Sequence, residues 1–199
     1  MDILATSPPP RPGLVLGCLV IFTACSQAPP EQTRAPEARV PALVLLAERG
    51  DFPAIDTLLT AGAAPDPVDG CHWTPLMKAA LNGHFATARR LLDAGGDPNA
   101  EDKGGYTALM LAASRGHGDL VHLLIESGAD LDRQERSAGW SALLWAAKDG
   151  RRVSVAILLA HGANPNLRDL DGRNAHDWAR ANGHEEILGL LTALPPGRP

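Results

Sequence analysis

The chain has 199 residues, 45% hydrophobic, 21% charged and only 4% aromatic, with a formal net charge of −5. That is the balance of one globular unit large enough to bury a core, built here mostly from Leu, Ala, Val and Ile. An acidic chain without a Lys/Arg cluster argues against nucleic-acid binding. Three cysteines (Cys18, Cys25, Cys71) make no disulfide framework and hold no CxxC pair for zinc.

The first element is an address. Leu14 to Phe22 is an uncharged apolar run of nine residues. It is too short for a bilayer-spanning helix, which needs about 20, and has the length of a signal-peptide apolar segment. Arg11 precedes it, and Thr23 and Ala24 lead directly to Cys25. The string Phe22-Thr23-Ala24-Cys25-Ser26 resembles the lipobox of bacterial lipoproteins, with Phe22 in place of the usual leucine. The resemblance implies cleavage before Cys25, lipid modification of its thiol and anchoring to a membrane in the periplasm. Ser26, rather than aspartate, after the cysteine suggests the outer membrane. The alternative is a plain N-terminal tail on a cytoplasmic protein.

Residues 26–40 are broken by prolines and carry little apolar bulk, a composition that cannot form a core. They read as an extended tether reaching at most about 50 Å.

From Val40 onward the chain repeats itself. Gly50, Gly83, Gly116, Gly150 and Gly183 follow one another at 33, 33, 34 and 33 residues. A second series, Gly62, Gly95, Gly128 and Gly162, keeps step, as do leucine-rich pairs at Leu58-Leu59, Leu91-Leu92, Leu124-Ile125 and Leu158-Leu159. In the clearest unit, Thr74 caps a helix that starts at Pro75, where a missing N–H does no harm. Thr107, Ser141 and Asn174 hold the same cap position in later units. Gly83 ends that first helix, a second helix runs from Phe85 to Ala94, and Asp97-Pro98-Asn99 turns the chain into a finger loop. Helices of two or three turns are not stable alone and must stack on their neighbours.

This pattern resembles the ankyrin repeat: Thr74–Ala80 matches its first-helix motif, Gly83-His84 its Gly-His pair, and Leu158 to Asn166 its closing Leu-Leu, Gly-Ala and Asn series. The resemblance implies a mostly α fold, an ankyrin-repeat solenoid of five stacked helix-turn-helix units joined by β-hairpin-like finger loops. The units are placed at about 41–73, 74–106, 107–140, 141–173 and 174–194. The whole division is a signal peptide over 1–24, lipidated Cys25 and tether over 25–40, a repeat domain over 41–194, and a disordered tail over 195–199. Met77, Met110 and Leu144 stand where the family usually has a histidine. The finger from Asp132 to Trp140 is one residue longer than the others.

No catalytic or metal constellation emerges, and no cofactor is expected. His84, His117 and His184 recur at the Gly-His position and read as packing residues. His122 and His176 stand on helices without ligand-spaced partners, and His161 holds a loop position. Cys71-His72 is the one adjacent thiol–imidazole pair, with no third group to orient it as a nucleophile. Asp69, Asp102, Glu135 and Asp169 are spread about one repeat apart, with Asp171 beside the last, and all read as turn caps.

A protein partner is the remaining expectation. Trp73, Tyr106, Trp140 and Arg173 share one register, just before each cap, and aromatics and Arg are enriched at interface hot spots. The ankyrin resemblance places these residues at the finger base on the concave side, with further contacts on the fingers (Gly70, Cys71, Lys103, Gly104). It adds first-helix contacts at Leu81 and Asn82, Ser114 and Arg115, Lys148 and Asp149, and Ala181 and Asn182. Trp145 and Trp178, at a position usually leucine, read as structural. The sum is a monomeric, non-enzymatic, lipid-anchored module, of the kind that neutralises a toxic effector as an immunity protein. The alternatives are support of a periplasmic oxidative-stress enzyme and a cytoplasmic adaptor.

Overall fold

The computed structural model describes residues 41–193; the predicted signal peptide, Cys25, the tether and the tail from 195 lie outside them. Within the described residues the chain forms ten helices and no strand. They are α1 (Ala42–Arg49), α2 (Phe52–Thr60), α3 (Pro75–Asn82), α4 (Phe85–Asp93), α5 (Ala108–Arg115), α6 (Gly118–Glu126), α7 (Ala142–Lys148), α8 (Arg152–Ala160), α9 (Ala175–Ala181) and α10 (Glu185–Thr192). They pair as five helix-turn-helix units. The odd-numbered helices pack on one another in one layer and the even-numbered helices in a second.

The caps act as their residue types dictate. The hydroxyls of Thr74, Thr107 and Ser141 accept the amides of Met77, Met110 and Leu144, at 3.2, 3.4 and 3.4 Å. Asn174 forms a full capping box with Asp177. Pro41, opening the first unit, makes no side-chain cap bond.

Burial is deepest in the middle. Every residue from Ala108 to Ala113 and from Ala142 to Ala147 is buried, whereas α1 buries only Leu43, Val44 and Ala47, and α9 only Ala175 and Ala179. Ala79-Ala80, Ala112-Ala113 and Ala146-Ala147 are buried in the odd-numbered layer, where small side chains allow neighbouring helices to approach closely. End units with fewer buried residues keep a stack of repeats from presenting an open core.

A second set of contacts ties each unit to the previous one. The Nε2 atoms of His84, His117 and His184 donate to the carbonyls of Glu48, Leu81 and Lys148, at 3.2, 3.3 and 3.0 Å. These carbonyls can only accept, which assigns the proton to Nε2. In the fourth unit Arg151 replaces histidine and donates from Nε to the carbonyl of Ser114 at 2.9 Å. The packing role expected of the Gly-His histidines is what the geometry gives them.

Candidate protein-binding surface

Each finger is a short turn folded around its own carboxylate. Asp69 Oδ1 accepts the amides of Cys71 and Trp73 at 2.8 and 2.9 Å, and Asp102 Oδ1 those of Gly104 and Tyr106 at 2.8 and 2.9 Å. Asp169 Oδ1 accepts Asp171 and Arg173 at 3.0 and 2.8 Å. Two amide bonds to one carboxylate, buried at Asp102 and Asp169 and half-buried at Asp69, satisfy donors that a turn would otherwise leave unpaired. The expectation of turn-capping acids is met at these positions, while Asp171 supplies an amide rather than a cap. Each finger also closes a hairpin-type backbone bond, such as Asp102 N–H to Tyr106 O at 3.1 Å, without forming a strand.

The longer finger keeps this design by lengthening the acid. Glu135 replaces aspartate and is 2% exposed. Its Oε2 accepts the amide and hydroxyl of Ser137, at 2.6 and 2.5 Å, and its Oε1 accepts the amides of Ala138 and Trp140, at 2.8 and 3.1 Å. The extra residue is identified by the bonds between fingers. Lys103 N–H donates to Cys71 O, Arg136 N–H to Gly104 O and Leu170 N–H to Ala138 O, at 3.2, 2.8 and 2.9 Å. Arg136 matches Lys103 and Ala138 matches Gly104, so Ser137 is the insertion.

The structure corrects the sequence reading of the three aromatics. Trp73, Tyr106 and Trp140 are only 7, 5 and 5% exposed, so they are not the projecting anchors their register suggested. For Tyr106 and Trp140 the reason is the rings of the repeats that follow. Trp140 meets Trp145 and Trp178 edge-on, with ring centroids 4.5 and 5.2 Å apart, and Tyr106 lies 6.0 Å from Trp145. Asp169 Oδ2 accepts both indole N–H groups, from Trp140 at 3.1 Å and Trp178 at 2.7 Å. One carboxylate thus closes its own finger and anchors two tryptophans. The structural reading of Trp145 and Trp178 agrees with this cluster.

The other expected contact residues fall into two groups. Lys103, Asn82, Arg115 and Arg173 are exposed. Arg173 is already placed, its guanidinium 4.8 Å from the ring centre of Trp178. Asn82 donates to the carbonyls of Lys78 and Glu48, at 3.0 and 3.3 Å. Ser114, Lys148 and Asp149 are half-buried. Ser114 Oγ donates to Leu111 O at 2.9 Å, while Lys148 Nζ lies 3.2 Å from Asp149 and 5.1 and 5.7 Å from the rings of Trp140 and Trp145.

One residue at this surface was missed. Leu170 at the tip of the fourth finger is 73% exposed, the most open of the large exposed hydrophobic side chains. Its match to Lys103 and Arg136 is legible in the repeat; the signal that marks it is apolar character at a finger tip, where those two carry charge.

Family comparison agrees with the repeat reading. Residues 43–135 match a family described as ankyrin repeats in three copies, and residues 116–160 one described as ankyrin repeats in many copies, together more than half of the chain. Among similar proteins, calmodulin-binding transcription activator 4 of Arabidopsis thaliana is 40% identical over 62 residues, 28% of this chain and 6% of that protein. The IkB-like protein of an African swine fever virus isolate is 43% identical over 54 residues, 27% of this chain and 23% of the viral protein. The ankyrin repeat protein YahD of Escherichia coli is 42% identical over 65 residues, 30% of this chain and 32% of YahD. The chain therefore spans less than a third of the length of each.

Proposed function

We propose, starting from the fact that this chain belongs to the ankyrin-repeat family, that it is a non-enzymatic, monomeric module that binds one protein partner along its fingers and odd-numbered helices. The observation that carries this reading is the pinned finger row. Each finger is closed by a buried or half-buried carboxylate and bonded to its neighbour through backbone. A surface ordered before contact loses less entropy on association than a mobile loop does. From it project Lys103, Arg115, Leu170 and Arg173, side chains able to combine charge with apolar and planar contact. Asn82, Ser114, Lys148 and Asp149 complete the surface from the helix side.

The site of action proposed is the periplasm, with a lipid on Cys25 holding the repeats to a membrane. The support is the apolar run Leu14–Phe22 directly before Thr23-Ala24-Cys25. A module of this kind serves as an immunity protein, which needs only location and affinity to neutralise a toxic effector.

Two measurements test the reading. A photoactivatable cross-linking residue is placed at Leu170, at Arg173, or at the exposed Arg89 on α4, in cells that make the protein. One covalent adduct of the same mass is expected from the first two positions and none from Arg89; equal labelling from all three would refute the finger surface. Separately, Cys25→Ala is expected to move the protein from the membrane to the soluble fraction. A variant distributed like wild type would remove the lipid anchor.

A further inference from the structure

Two histidines that stand apart in the sequence meet on the even-numbered layer, and each holds a spare ring nitrogen. His122 on α6 and His161 just past α8 have ring centroids 5.2 Å apart and planes at 84°. His161 Nδ1 lies 2.9 Å from the carbonyl of Ile157, which can only accept, so Nδ1 carries the proton and Nε2 the lone pair. His122 Nδ1 lies 3.3 Å from the carboxylate of Glu126, one turn along the same helix.

A histidine whose Nδ1–H faces a carbonyl or carboxylate is oriented in the way metal-ligating histidines are, with the partner fixing the tautomer and making Nε2 a better donor. The spacing also fits. Two imidazoles bound through Nε2 to one tetrahedral cation, each bond about 2.0–2.1 Å, hold their ring centres about 5 Å apart. Rotation about each metal–nitrogen bond leaves the angle between the planes free. We propose that His122 and His161 form a surface site for a divalent transition cation, of which Zn2+ is the probe of choice, with Glu126 as a positioning residue behind His122. Imidazole selects zinc, copper and nickel over magnesium or calcium, which take oxygen ligands. Among the described residues no group of three or more His, Cys, Asp or Glu side chains is placed to hold a metal. Water therefore completes the shell and leaves positions that another molecule's donor can take.

The test is calorimetric titration of the intact, chelator-stripped chain with ZnCl2, with MgCl2 as the control. One equivalent of zinc should bind and magnesium should give no heat. His122→Ala and His161→Ala should each weaken binding at least about tenfold, and Glu126→Gln about tenfold. Both histidines are exposed, so these variants should keep the thermal midpoint of the metal-free wild type. A long-range 1H–15N spectrum reads the site directly, since the Nε2 signals of both residues should move with zinc. Undiminished zinc binding in both single variants, or Nε2 signals that do not move, would overturn the proposal.

Discussion

The ring of His117 lies against Gly83 so closely that a Cβ on the glycine would stand 2.7 Å from its Cε1. Gly83 also ends α3 with φ of +79°, where a side chain is strained on its own account. Gly83→Ala should therefore cost about 2 kcal/mol or more. His117→Ala, which loses the bond to Leu81 O and some packing, should cost about 1–2 kcal/mol. The double variant should cost less than the sum, because removing the ring makes room for the new methyl. Urea denaturation of the four proteins measures this; strict additivity would mean the contact is not tight.

Glu135 and Ser137 should behave as one adaptation. Glu135→Asp keeps the charge but shortens the reach across the longer finger, and should cost about 1–3 kcal/mol through unpaired amides. Deleting Ser137 as well should recover most of that loss by restoring the finger length that aspartate closes elsewhere. The same denaturation experiment decides it, and a deletion that adds to the loss would contradict the match.

Burial raises the carboxyl of Asp102 above its ordinary value of 3.8, against the opposing pull of the Tyr106, Gly104 and Gly105 amides and of Arg136. The folded chain thus holds this proton more tightly than the unfolded chain. Its contribution to stability is greatest below pH of about 4 and declines as pH rises through the folded value. Asp102→Asn keeps an oxygen for the amides of Gly104 and Tyr106 and has no charge to bury. It should match or exceed wild type at pH 7, and its advantage should shrink toward pH 3.5. Asp102→Ala should lose about 1–3 kcal/mol at pH 7. An asparagine variant as unstable as the alanine one would reject this balance.

His72 adopts φ of +66° at the position that Gly105, Gly139 and Gly172 fill in the other fingers. An L-residue other than glycine pays roughly 1 kcal/mol for that backbone. His72→Gly should raise stability by up to about 1 kcal/mol, read as a higher denaturation midpoint. A lower midpoint would mean that the imidazole makes a contact worth more than the strain.

The repeat itself was legible because its signals are local. A cap hydroxyl, a proline after it and a glycine at a fixed distance each act within one or two turns, so the sequence shows them directly. Trp73, Tyr106 and Trp140 are not legible as buried because burial comes from elsewhere in the chain: Trp140 is covered by Trp145 and Asp169 of the following unit and by Trp178 of the unit after it. A position that looks like the base of an open loop in one repeat becomes interior once the next is stacked on it. The role of Arg151 is not legible in the motif for a related reason. What is kept at its position is a donor to the previous unit's carbonyl, not a residue type. His122 and His161 hold different positions in adjacent repeats, so a search for aligned residues passes over them.

The inserted Ser137 has a consequence for recognition. Four fingers of equal length would offer a ligand the same footing wherever it landed, and a partner could slide by one repeat or dock in reverse. A single lengthened finger, crossed by the Gln134 side chain to the carbonyl of Arg168, breaks that sameness. The row acquires a landmark, and with it a direction and a fixed starting point for whatever is laid along it.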